Sequence, residues 1–112
     1  MIIVLPTKAG KLSPHFGQGC QYLFFEVDPS KRKILNRTAH QGPPHEPGLL
    51  PTWLAKMGVD VVIANGMGSH AQKIFGSHDI DVIDGAPCRP VEKLIHEYLA
   101  GTLETGDNIC DH

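Results

Sequence analysis

Asp60-Val61-Val62-Ile63-Ala64-Asn65-Gly66-Met67-Gly68-Ser69 is the stretch whose reading decides the fold. Residues 60–64 form a short, nearly unbroken apolar run rich in valine and isoleucine, which suits a strand buried on both faces. The glycine-bearing turn after it opens a helix whose apolar positions are Met67, Ala71, Ile74 and Phe75, closed by Gly76. A buried strand feeding an amphipathic helix predicts a parallel neighbour, because such a neighbour needs a crossover of about a dozen residues.

Working outward, residues 80–83 supply the next strand. Val91, Leu94, Ile95, Tyr98 and Leu99 then keep helical spacing, with Pro90 suited to the first helical position and Gly101 to the position after the last. On the other side, Leu50, Trp53, Leu54 and Met57 fall at helical spacing, with Pro51 tolerable in the first turn and Gly58 placed to end the helix. The N-terminal part follows a different pattern. Residues 1–5 and 22–27 read as strands, and a turn through Asp28-Pro29-Ser30 and Lys31-Arg32-Lys33 folds residues 34–39 back as a hairpin partner. A hairpin followed by strands alternating with helices gives one α/β domain over residues 1–101, a mixed sheet covered by helices. Residues 102–112, mostly polar, read as a tail ending in Cys110-Asp111-His112.

At 112 residues with 41% apolar composition, one core is expected. A net charge of -2 gives no electrostatic support for nucleic-acid binding, which needs a basic face. The apolar start stops at Pro6, too short for a signal segment, and no run approaches a membrane span, so a cytoplasmic setting without membrane contact is expected. Three cysteines, Cys20, Cys88 and Cys110, are an odd count that favours free thiols or metal ligands over a disulfide framework.

Four segments could carry chemistry. Ser13-Pro14-His15-Phe16-Gly17-Gln18-Gly19-Cys20 combines imidazole and thiol with an irregular backbone; alternatively Phe16 anchors the loop, His15 is exposed and Cys20 is a small apolar residue. His40-Gln41-Gly42-Pro43-Pro44-His45-Glu46-Pro47-Gly48 offers two histidines able to converge on a metal, or a proline-rich connector. Asn65-Gly66-Met67-Gly68-Ser69-His70 brings free amides to a helix start, attractive to an anion, or is a tight turn only. It is neither a Walker loop nor a dinucleotide fingerprint. The terminal Cys110 and His112 could share one ion, or be an incidental end. Cys88, beside Arg89 and a helix start, has a reactive and a structural reading.

Taken in order, Ser13-Pro14-His15-Phe16-Gly17, the histidine-bearing loop ending Pro47-Gly48-Leu49-Leu50-Pro51, then Gly58-Val59-Asp60-Val61-Val62-Ile63, Asn65-Gly66-Met67-Gly68 and Gly101-Thr102-Leu103 resemble the dinitrogenase iron-molybdenum cofactor biosynthesis family. That family includes NifX, the C-terminal part of NifB and the orange protein. The resemblance covers nearly the whole chain, and the Cys-Asp-His ending is found in some small stand-alone members. It implies a ribonuclease H-like fold with a five-stranded mixed sheet and three flanking helices, an architectural label that transfers no nuclease activity. It also implies binding, storage or delivery of an iron-molybdenum cofactor precursor or a related metal-sulfur cluster.

On this reading the chain is a carrier and not an enzyme. His15, Phe16, Gly17, His45, Gly66, Met67, Gly68 and Ser69 line the cluster pocket, and His15, His45, Cys110 and His112 are the candidate metal ligands, with zinc or iron as other occupants. Two rivals stand beside it: a module docking on a cluster-assembly protein or ATPase, and a metal- or thiol-dependent enzyme using Cys88 or a zinc-bound water. Homo-oligomerisation is left open.

Overall fold

The computed structural model describes residues 1–13, 21–42, 49–67 and 69–105. Six strands and three helices follow in the order β1 (Ile2–Lys8), β2 (Lys11–Leu12), β3 (Gln21–Asp28), β4 (Lys33–Gln41), α1 (Leu49–Lys56), β5 (Val61–Ile63), α2 (Ser69–Ser77), β6 (Asp81–Ile83) and α3 (Val91–Ala100). The sheet order is β4-β3-β1-β5-β6, with β2 paired to β1. β1 joins the two halves: it is antiparallel to β3 and parallel to β5, which is in turn parallel to β6.

Both faces of the sheet are covered. On one, Val4, Tyr22, Phe24 and Val62 pack with Leu54 of α1 and Phe75 of α2. On the other, Ile3, Leu5, Phe25, Val61 and Ile63 pack with Val91, Leu94 and Ile95 of α3. That double cover explains why β1 and β5 read as unbroken apolar runs and not as alternating ones. Leu103, which the sequence assigns to the tail, packs against the α3-side cluster, and the amides of Thr102 and Leu103 both donate to the Glu97 carbonyl. At that end of α3 burial raises the Tyr98 phenol above its ordinary pKa, and the Asp81 carboxylate adds to the shift.

Several expectations are corrected in detail. The strand count is six and not five, because the left-handed pair Ala9 (φ 55) and Gly10 (φ 80) turns the chain into the two-residue β2. β1 does not stop at Pro6 but continues to Lys8. The carbonyl of Pro6 accepts the Ser13 amide at 2.9 Å, so its side of the backbone faces Ser13 and the missing N–H takes nothing from the ladder to β3. β4 extends to Gln41, which places His40 in a strand opposite Tyr22 and not in the following loop. α2 begins at Ser69 and runs through Gly76, where an added Cβ would meet no atom within 4 Å, while Asp79 at φ 59 makes the turn. Gly58 (φ 79) and Gly101 (φ 75) do end α1 and α3 in the left-handed conformation.

Tyr22, Phe24, His40 and Trp53 form an edge-to-face cluster beside α1, with ring centroids 4.7 Å apart for Phe24 and His40 and 6.0 Å for Tyr22 and Trp53. Gly42 lies directly on it, since a Cβ there would sit 2.5 Å from Tyr22 Cε2. Tyr22 is buried and held by Trp53, so its ring cannot move aside freely. Gly42→Ala is expected to lower stability by about 1–3 kcal/mol in a urea unfolding titration, whereas Gly76→Ala, with open space around it, should be neutral or stabilising.

Candidate functional site

The register fixes which connections share an end of the sheet. Thr7 of β1 lies opposite Gln21, and Gln21 lies opposite Gln41, so β3 starts and β4 finishes at the carboxyl end of β1. Ser13, hydrogen-bonded to Pro6, is at that end too. β5 and β6 run parallel to β1, so the turns after Ile63 and Ile83 also emerge there. The described residues flanking 14–20, 43–48 and Gly68 therefore all stand at one end of the sheet. His15, Phe16, Gly17, Cys20, His45 and Gly68 themselves lie outside the described residues, as do Cys110 and His112.

At this end the chain leaves β5 toward α2 on one face and leaves β6 toward α3 on the other. Such a divergence of neighbouring connections is where open α/β sheets form a ligand crevice. Here the two turns are laced together. The amide of Gly85 donates to the Asn65 carbonyl at 3.0 Å, that of Ala86 to the Ala64 carbonyl at 3.1 Å, and Asn65 Nδ2 to the Ala86 carbonyl at 2.8 Å. The last bond fixes the Asn65 amide orientation, leaving Oδ1 buried and without a hydrogen-bond partner among the described residues.

Asp84 completes the lacing. Its Oδ1 accepts the Met67 amide at 3.0 Å, and its Oδ2 accepts Gln72 Nε2 at 3.2 Å, while the same Gln72 nitrogen donates to the Met67 carbonyl at 2.9 Å. α2 has no acidic residue in its own first turn, so the carboxylate nearest its start comes from the neighbouring turn. Of the expected cradle, Met67 thus has its amide engaged and its side chain buried in the core; Gly66 is half-buried and Ser69 is exposed. The buried polar side chains of the described residues, Thr7, Ser13 and Asn65, all gather at this end. Asp84 was not singled out from the sequence, and Asn65 only as the first residue of the glycine-bearing turn; the buried, partly unpaired Asn65 amide and the Asp84 bridge depend on contacts that only the folded sheet creates.

His70, next to Ser69 in the first turn of α2, is exposed, as are His78 and His96. Cys88 is half-buried and is not in a disulfide. Among the described residues no three His, Cys, Asp or Glu side chains come together as a metal site, and no helix is long and apolar enough to cross a membrane. α3 carries the chain away from the crevice, so Gly101 stands ~15 Å along the helix from it.

Removing the Asp84 carboxylate leaves the Met67 amide without its acceptor. Asp84→Ala is expected to cost about 1–3 kcal/mol in urea unfolding, and Asp84→Asn, which keeps an acceptor, distinctly less.

Comparison with known proteins fits this arrangement. The chain is 30% identical over 107 residues to the uncharacterized protein MJ0580 of Methanocaldococcus jannaschii, covering 93% of this chain and 90% of the relative. The crystal structure of PH0822 superposes with a TM-score of 0.85 at 24% identity, over 94% of each chain. The apo form of the orange protein from Desulfovibrio gigas superposes with a TM-score of 0.75 at 18% identity, over 94% of this chain and 92% of that one. At those identities the two structures speak to the fold. The family described as dinitrogenase iron-molybdenum cofactor matches residues 1–101, and the chain belongs to that family.

Proposed function

We propose that the chain is a non-enzymatic carrier that binds, stores or delivers an iron-molybdenum cofactor precursor or a related metal-sulfur cluster at the crevice between β5 and β6. The observation that carries this reading is the convergence of flanks: residues bordering both histidine-bearing segments and the 65–69 turn stand at one end of the sheet. The scaffold is of the ribonuclease H-like kind, with residues 1–101 as the cluster-binding domain and 102–112 as a tail, in a cytoplasmic setting.

In this scheme His15 and His45 supply imidazole ligands, with Phe16 and Gly17 shaping the wall beside them. Gly66, Gly68 and Ser69 offer amides to an anionic cargo, and Met67 contributes its amide only when Asp84 gives it up. Cys110 and His112 add a thiolate and an imidazole from the tail, either to the same cargo or to a separate zinc or iron ion. Membership of the cofactor family supports a cluster as cargo. A cluster-assembly protein or ATPase is the natural source or recipient of such a cargo.

The test is anaerobic purification with elemental analysis for iron, molybdenum, copper and zinc and a visible spectrum, on wild type, His15→Ala and His45→Ala. Retained metal with sulfide-to-metal charge-transfer bands is expected in the wild type, with at least about a tenfold loss of metal affinity in each variant. A wild type that, after reconstitution with iron, sulfide and tetrathiomolybdate, keeps no metal through desalting overturns the proposal.

A further inference from the structure

A second surface lies away from the crevice, along the outer margin of β4. This strand is nine residues long and ends the sheet, and among the described residues nothing pairs with its outer edge. The register shift at Leu35 interrupts it, and beyond that point the outward N–H and C=O groups of residues 36–41 form a template for another strand. Beside it, between β4 and α1, runs a groove with room for about 150 Å³ of solvent, floored by Phe24, walled by Ile2 and Met57, and carrying the exposed Glu26 at the side nearest Asn36. The β4 residues on that groove are Asn36, Thr38 and His40, every second position and thus one face of the strand. A strand added to β4 would set its own alternate side chains on the same face, over the groove.

Charge distinguishes this margin from the rest of the molecule. The hairpin turn and β4, residues 29–42, contain Lys31, Arg32, Lys33 and Arg37 and no acidic residue; the acids nearest them are Glu26 and Asp28 of β3, opposite Asn36 and Lys33. Arg37 is paired with Glu92 of α3. Lys31, Arg32 and Lys33 at the hairpin tip are exposed, and no ion pair holds them among the described residues. Asp28 accepts the Ser30 and Lys31 amides and so shapes the turn. Exposed Leu35, at 58% of its full surface, and exposed Met57 border the same margin.

From these features we infer that the β4 edge is a docking site for an acidic extended segment of a partner protein, which adds as a further strand. Main-chain hydrogen bonds to β4 hold the segment, its apolar side chains cover the groove, and its acidic end meets Lys31, Arg32 and Lys33. The surface is separate from the crevice, and failure of either reading leaves the other standing. The opposing account is that the lysines only protect a bare edge from aggregation.

The probe is a fluorescein-labelled nonapeptide, an alternating valine-threonine stretch ending in three glutamates, titrated against the full chain by anisotropy. A scrambled peptide, a version ending in three lysines and an oligothymidylate serve as comparisons. Saturable binding is expected, with added hydrogen-exchange protection over residues 33–41, and Lys31→Glu/Lys33→Glu should weaken it by about tenfold while leaving the far-ultraviolet spectrum unchanged. Equal binding of the scrambled peptide overturns the inference, as does displacement by the oligothymidylate without protection of residues 33–41. No anisotropy change up to about 1 mM peptide also overturns it, and leaves the lysines as edge protection.

Discussion

The burial of β1 on both faces is the constraint on which the rest of the structure rests. Ile3, Val4 and Leu5 are sealed completely, Ile3 and Leu5 toward α3 and Val4 toward α1 and α2, so helices are needed on each side of the sheet. A strand covered in this way cannot sit at an edge. It takes β3 on one side and β5 on the other, and the antiparallel hairpin and the parallel βα repeats are joined through it. Each fully buried aliphatic side chain contributes roughly 1.5–3 kcal/mol, so no alternative register of β1 that exposed this set would compete.

From this constraint the position of the candidate site follows. Because β5 and β6 run parallel to β1 while β3 starts and β4 ends beside its carboxyl end, the described residues that flank 14–20, 43–48 and Gly68 share that end of the sheet. The chain then diverges to α2 and α3 on opposite faces, and the two turns are tied together by hydrogen bonds that Asn65 and Gln72 donate and Asp84 accepts, beside the buried side chains of Met67 and Ala86. Core and crevice are thus made by the same topology with different chemistry.

How far this was legible in the sequence depends on the range of the interaction. Local periodicity revealed α1, α3 and the buried β5, and glycines able to adopt positive φ marked two helix ends at Gly58 and Gly101. Pro6 misled, because its effect depends on which way its backbone faces, and that is settled by Ser13 in another strand. β2 is two residues long and carries no period to detect. At the site, the turn at 65–69 was readable from its glycines. Its lacing was not, since Asp84 meets Met67 across 17 positions of sequence and Asn65 meets Ala86 across 21. His40 was placed in a loop because the hairpin's length is set by pairing with β3 and not by its own composition.

The Met67 amide, at the start of α2, already has an acceptor in Asp84. An incoming anion that uses this amide exchanges one acceptor for another, and its apparent affinity is its intrinsic affinity reduced by the fraction of time the carboxylate is away. Departure is helped in the same measure, because the amide passes back to a carboxylate within the chain and no buried donor is stranded. Under the carrier reading, such an internal competitor would tune the site toward turnover of its occupant and away from irreversible capture.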